Sequence, residues 1–129
     1  MKKLAVLLIS GLMSVTASAV NWILIADTPR MNYYIDIDSI SSSGKYKTVF
    51  IKNIYAQPNA IAPSITIDQE MAFLRFDCNS TPQKVQLLSA YTYSGDKPVD
   101  YAGYDENVEW SVVYPGTVLA NQASLVCSH

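Results

Sequence analysis

The chain has 129 residues, with nine Lys and Arg against eleven Asp and Glu, for a formal net charge of −2. That length fits one domain with a single core, and mild acidity without a Lys/Arg cluster excludes a nucleic-acid-binding stripe. The nine tyrosines and two tryptophans all lie beyond residue 20, and aromatic residues favour the half-buried surface of a pleated sheet.

Lys2 and Lys3, the apolar run Leu4 to Val15, and Ala17-Ser18-Ala19 form the three parts of a secretory signal. Cleavage is expected between Ala19 and Val20, which divides the chain into a signal at 1–19 and a domain at 20–129. The apolar run is shorter than the roughly 20 residues that span a bilayer, so no membrane span is expected. No cysteine follows it to carry a lipid. The remaining domain, about 110 residues, is expected outside the cytoplasm, periplasmic or secreted. Without Lys2 and Lys3, seven of the nine basic residues face eleven acidic ones, a net charge of about −4.

Two cysteines in an exported chain are expected to pair, here Cys78 with Cys127. They stand 49 positions apart, and closing a loop of that length removes ~4 kcal/mol of unfolded-state entropy. Metal ligation by the cysteines with His129 is the alternative, but metal sites usually need three or four convergent ligands. No cofactor is expected.

In chain order, Asn21 to Ala26 reads as a β-type apolar run stopped by Asp27-Thr28-Pro29-Arg30. Tyr33 to Asp36 is a second strand. Asp36, Asp38 and Ser39 favour a tight turn through bonds to their own backbone. A calcium loop would need more oxygen ligands at fixed offsets. Ser41 to Gly44 reads as a loop tip, and Lys45 to Tyr55 as a long strand with Val49, Ile51 and Tyr55 on one face and Phe50, Lys52 and Ile54 on the other. Gln57 to Ser64, carrying Pro58 and Pro63, reads as a loop, because proline cannot donate to a ladder.

Ile65 to Cys78 is the expected central strand. Its face Ala72, Leu74, Phe76, Cys78 should look at the C-terminal helix, because Cys78 must reach Cys127. Asn79 to Gln83 is a turn. Val85 to Tyr93 is a strand expected to keep Val85, Leu87, Ser89, Tyr91 and Tyr93 on one face. Ser94 to Pro98 reads as a turn tip, Asp100 to Asn107 as an exposed loop, and Val108 to Tyr114 as a last strand with Trp110, Val112 and Tyr114 in register. Thr117 is placed to cap a helix running to about Cys127, with Leu119, Ala123 and Val126 as its apolar stripe.

Several of these pieces resemble the surface-adhesin protein E family. They are Tyr33-Tyr34-Ile35-Asp36-Ile37-Asp38-Ser39-Ile40, the Gly44 turn, Val49-Phe50-Ile51, Phe76-Asp77-Cys78, and the ending from Trp110 through Pro115-Gly116-Thr117 to Cys127. Their order and spacing cover nearly the whole exported part. The resemblance implies an α+β fold: a single domain with a curved antiparallel sheet of about five to six strands, a C-terminal helix and one disulfide. It also implies a protein-binding role toward host extracellular-matrix or serum proteins, and admits a homodimer. The missing lipid-attachment cysteine sets this chain apart and favours a soluble periplasmic or released form.

The residues do not assemble an enzyme. A hydrolytic triad needs a base beside a nucleophile, and the sole histidine, His129, is the last residue. Asp100, Asp105, Glu106 and Glu109 are acidic neighbours without the defined separation that paired catalytic carboxyls require. The candidate partner-binding surface is therefore Tyr91, Tyr93, Tyr101 and Tyr104, bordered by Asp100, Asp105 and Glu106, since tyrosine offers apolar area with a polar tip. A second class of function is a periplasmic structural or inhibitory protein, for example one that plugs a lysozyme cleft, with the acidic loop steering it toward a basic enzyme.

Overall fold

The computed structural model of the chain describes residues 20–62, 65–104 and 107–129. The expected signal segment at 1–19 lies outside the described residues, as do Asp105 and Glu106. A single antiparallel sheet of eight strands carries one C-terminal helix. Six strands form its main path: β1 (Trp22–Asp27), β2 (Met31–Asp36), β4 (Tyr46–Ala62), β5 (Ile65–Asp77), β6 (Lys84–Ser94) and β7 (Lys97–Gly103), with spatial order β1-β2-β4-β5-β6-β7. Two short strands lie off this path, β3 (Ser41–Ser43) against β4 and β8 (Ser111–Val112) against β6.

Side chains alternate between the two sides of a strand, and the core is the side that meets helix α1 (Val118–Cys127). Ile35, Val49, Phe76, Ala123 and Val126 are fully buried there, with Leu74, Val85 and Val113 nearly so. Burying each of the larger apolar side chains favours folding by about 1.5–3 kcal/mol. Ala72 and Cys78 pack on the same cluster, so the expected helix-facing set of β5 is observed. Thr117 caps α1 through its hydroxyl oxygen, which accepts from Ala120 N at 3.1 Å. The Cys78–Cys127 disulfide then ties the end of α1 to the end of β5 across a Cα–Cα distance of 5.5 Å.

The Asp36 turn is a single 3₁₀ turn, Ile37–Ser39. Asp36 Oδ1 accepts from Asp38 N at 3.2 Å and from Asn21 N at 3.1 Å, and the Ser39 hydroxyl donates to Asp36 O at 2.7 Å.

Four boundaries differ from the expectation, each for a local reason. Pro58 does not end β4. The ladder with β5 is interrupted between Ile54 and Asn59 and resumes at Asn59 opposite Ile67, so Pro58 sits where no donor is needed. Ser41 to Ser43 is not only a tip: it pairs with Tyr46 to Thr48 around a turn at Gly44, whose φ of 62° suits glycine. Asp100 to Gly103 is strand rather than loop, the continuation of a hairpin that turns at Gly95, with φ 60°. The last strand shrinks to two residues, and the buried member of that stretch is Val113, whereas Tyr114 is exposed.

The fifth difference changes which face the tyrosines use. In the β5–β6 ladder Leu74 pairs with Leu87 and Phe73 with Ser89, so Leu88 is an extra residue. Such a bulge inverts the alternation. Val85 and Leu87 look toward α1, whereas Ser89, Tyr91 and Tyr93 lie on the opposite side, in register with Phe73, Met71 and Gln69.

Candidate functional site

The side of the sheet away from α1 is an apolar and aromatic surface. Its register places Leu24, Tyr34, Lys52, Met71, Tyr91 and Tyr101 in one continuous row across all six main strands. Tyr91 and Tyr101, directly opposite one another, stack with centroids 4.7 Å apart and planes 41° apart. At the other end Lys52 Nζ lies 4.5 Å from the Trp22 ring centroid and 5.6 Å from that of Tyr34. These cation–π contacts place a positive charge among the rings.

A second row runs beside the first: Phe50, Phe73, Ser89 and Gly103. Phe50 and Phe73 pack at 4.5 Å, and Phe50 is still 37 % exposed. Gly103 has a specific use. A Cβ on it would meet Tyr101 Oη at 2.5 Å, so the bare backbone makes room for the phenol. Tyr101 remains 58 % exposed despite its stacking.

The chain covers one end of this face itself. The Tyr46 ring packs on Trp110 at 5.0 Å, with the Arg75 guanidinium 5.8 Å from the Tyr46 ring centroid. Arg75 Nη1 donates to Gln86 Oε1 at 3.1 Å, and Gln86 Nε2 donates to Val108 O at 2.7 Å. Gln86, 1 % exposed, thereby pins the 108–110 segment over the β5–β6 end, and the Tyr91–Tyr101 end stays open.

The structure brings some of the candidate residues together and separates others. Tyr91, Tyr93 and Tyr101 share the open face. Tyr104 lies just past β7, 46 % exposed, with its backbone N donating to Leu88 O at the bulge. Asp100 pairs with Thr92, so it falls on the other side of the sheet from Tyr101, and its carboxylate accepts from Tyr101 N at 2.8 Å. It does not border the tyrosine pair. Asp105 and Glu106 lie outside the described residues.

Trp22, Tyr34, Lys52, Met71, Phe50 and Phe73 belong to this face and were absent from the sequence-derived set. Alternation within β4 puts Phe50 and Lys52 on the side opposite Val49. Only the inter-strand register aligns them with Tyr91 and Tyr101.

A polar group sits on the helix side, beyond α1. Glu70 Oε1 accepts from Asn53 Nδ2 and its Oε2 accepts from the Tyr55 hydroxyl, both at 3.0 Å. Burial first, then the hydrogen bond to Glu70, push the Tyr55 phenol up to about 12, so it holds its proton and donates at neutral pH. Elsewhere His129 is exposed at the end of the chain and both cysteines are in the disulfide. Among the described residues no three His, Cys, Asp or Glu side chains converge as a metal site, and no helix is long and apolar enough to cross a membrane.

Residues 22–128 match the family model described as surface-adhesin protein E. No curated protein sequence matches the chain. Two crystal forms of Haemophilus influenzae protein E share its fold. One superposes with a TM-score of 0.60 at 15% identity, over 88% of this chain and 88% of that one. The second gives 0.61 at 15% identity, over 88% of this chain and 91% of that one.

Proposed function

The chain belongs to the surface-adhesin protein E family, and from that premise we propose that it is an exported, non-enzymatic module that binds another protein through the open face of its sheet. The observation that carries this reading is the row Leu24–Tyr34–Lys52–Met71–Tyr91–Tyr101. Interface cores are enriched in tyrosine, tryptophan, phenylalanine and methionine, and this row with Trp22, Phe50 and Phe73 supplies all four. Tyr101, stacked on Tyr91, is the most exposed residue of that row, and the pair is the natural anchor.

The partner class is a host extracellular-matrix or serum protein. Export follows from the signal at 1–19, with Val20 as the first residue after cleavage. Intact mass of protein recovered from the periplasm or the medium checks this part; a form that retains Met1 overturns it.

The binding test is capture from matrix and serum extracts, followed by kinetics on variants. Tyr91→Ala and Tyr101→Ala should each weaken the captured partner by roughly thirtyfold, the loss expected of a hot-spot aromatic of about 2 kcal/mol. Asp100→Lys, on the other side of the sheet, should leave affinity nearly unchanged. A partner whose affinity ignores both tyrosine changes overturns the site. Self-association through the same face would appear as a sedimentation shift that Tyr101→Ala abolishes.

A further inference from the structure

Helix α1 covers only part of its side of the sheet. Beyond Leu119 the register aligns Ile51, Ala72 and Ala90, and two adjacent alanines keep the sheet floor low there. A cavity of about 370 Å³ opens over them, walled by Leu74, Leu87 and Leu119. That volume lies within the range of small-molecule sites, which are mostly apolar with a few placed polar groups. Leu74 and Glu70 are four positions apart along β5, about 13 Å of strand, a length that takes one short alkyl chain.

The polar end of the cavity is Asn53 and Glu70, direct partners in the β4–β5 ladder. The Glu70 carboxylate accepts one bond at each oxygen, from Asn53 and Tyr55. A carboxylate offers about four acceptor sites, so half its capacity is unused. Among the described residues no lysine or arginine pairs with it. The Asn53 amide has one possible orientation, because a carboxylate takes only donors and must face the NH₂ group. Its Oδ1 is therefore turned elsewhere, and this atom, on a side chain 9 % exposed, has no partner. Thr92, opposite Glu70 in β6, likewise has a buried Oγ1 without a partner. The unmet capacity around Glu70 thus includes acceptor sites on its own carboxylate and on Asn53 Oδ1, with the Thr92 hydroxyl able to donate or accept, next to an uncompensated negative charge at the mouth of an apolar cavity.

We propose that this cavity binds a small primary alkylammonium compound, its ammonium on the Glu70 carboxylate and its aliphatic body on the Ala72–Ala90 floor. An ammonium supplies three donors and the opposite charge; a carboxylate ligand would be repelled and an alcohol would leave the charge unpaired. Asn53 and Tyr55 act as positioning residues that hold the carboxylate still. The site is on the side of the sheet opposite the tyrosine face, so it stands or falls independently of the protein-binding reading.

The experiment is a titration of the intact, disulfide-bonded protein with hexylamine, hexanol and hexanoate, read by calorimetry and by amide shifts in β5 and β6. Hexylamine should bind saturably, hexanol at least about tenfold more weakly, and hexanoate not at all. Glu70→Gln should bring hexylamine down to the level of hexanol. Ala90→Leu should fill the floor and abolish binding of both. Equal affinity for hexanol and hexylamine, no saturable binding of hexylamine, or an unchanged Ala90→Leu variant each overturns the proposal. If Glu70→Gln fails to fold, the comparison of the three probes on the unaltered chain, with Ala90→Leu, decides the question.

Discussion

The two sides of the sheet are built from the same strands, residue by alternate residue, yet they have opposite fates. On the α1 side the row Ile35–Ile51 and the neighbours Val49, Leu74 and Phe76 vanish from solvent under Ala123 and Val126. On the other side Leu24, Tyr34, Lys52, Met71, Tyr91 and Tyr101 form an equally continuous row, and among the described residues the chain covers the Trp110 end. The core under α1 uses aliphatic groups and one aromatic ring, Phe76. The open side uses rings with polar tips and a lysine that can face water or a partner. Stability should reside in the first side and recognition in the second.

The strongest way to break that division is at Phe76, fully buried at the centre of the covered side. Phe76→Ala should cost about 3–5 kcal/mol through lost burial and the cavity left behind. Guanidinium unfolding checks it, and a loss below about 1 kcal/mol would mean that the core lies elsewhere. Next comes the tie between α1 and β5. Replacing both Cys78 and Cys127 with alanine should cost about 2–5 kcal/mol, while the affinity of a partner bound to the open face stays the same in the fraction that remains folded. A loss of affinity in that fraction would show that the open face depends on the helix.

The sequence made one of these sides legible and left the other half-read. Alternation of Ala72, Leu74, Phe76 and Cys78, the Thr117 cap and the two cysteines were enough to place α1 on β5, because one buried face and one covalent link over-determine the arrangement. The open face depends on register among six strands, which no single strand encodes. One extra residue, Leu88, moves Tyr91 and Tyr93 to the side opposite Val85 and Leu87, and an apolar residue in an apolar strand gives no bulge signal. Pro58 misled in the other direction, since a proline reads as a stop unless the ladder is already interrupted there. Asp100 next to Tyr101 looked like part of one surface, but neighbours in a strand point to opposite sides.

Smaller effects sharpen the comparison. Tyr101→Ala should change stability by about 1 kcal/mol or less, because it removes one exposed ring contact. The roughly thirtyfold loss of partner affinity expected from the same variant then separates recognition from folding. Gly103→Ala is finer still. The added methyl would meet the far end of a flexible side chain, Tyr101 Oη, so the backbone need not move. Stability should stay within about 0.5 kcal/mol of the parent. The Tyr101 ring should lift from Gly103, visible as changed ring shifts of Tyr91 by NMR, and partner affinity should fall with the geometry of the stack. An unchanged Tyr91 spectrum would mean that the phenol does not rest on Gly103.

A pH-dependent effect lies on the helix side of the sheet, beyond α1, at Tyr55. Burial and the Glu70 carboxylate raise its phenol from 10.0 to about 12, with a smaller contribution from Tyr33. The neutral phenol is the form that the folded state favours, and in the unfolded chain Tyr55 ionises at its ordinary value. Its contribution is therefore fully present below pH 10.0 and is lost as pH rises from there through about 12. Other tyrosines also ionise in this window, so the measurement must be a difference. Denaturation midpoints of the parent chain and of Tyr55→Phe, taken at intervals from neutral pH upward, should run parallel below the window and converge within it, since phenylalanine has no proton to lose. Curves that stay parallel throughout would show that the phenol ionises alike in the folded and unfolded chain, and that the Glu70 bond does not hold its proton.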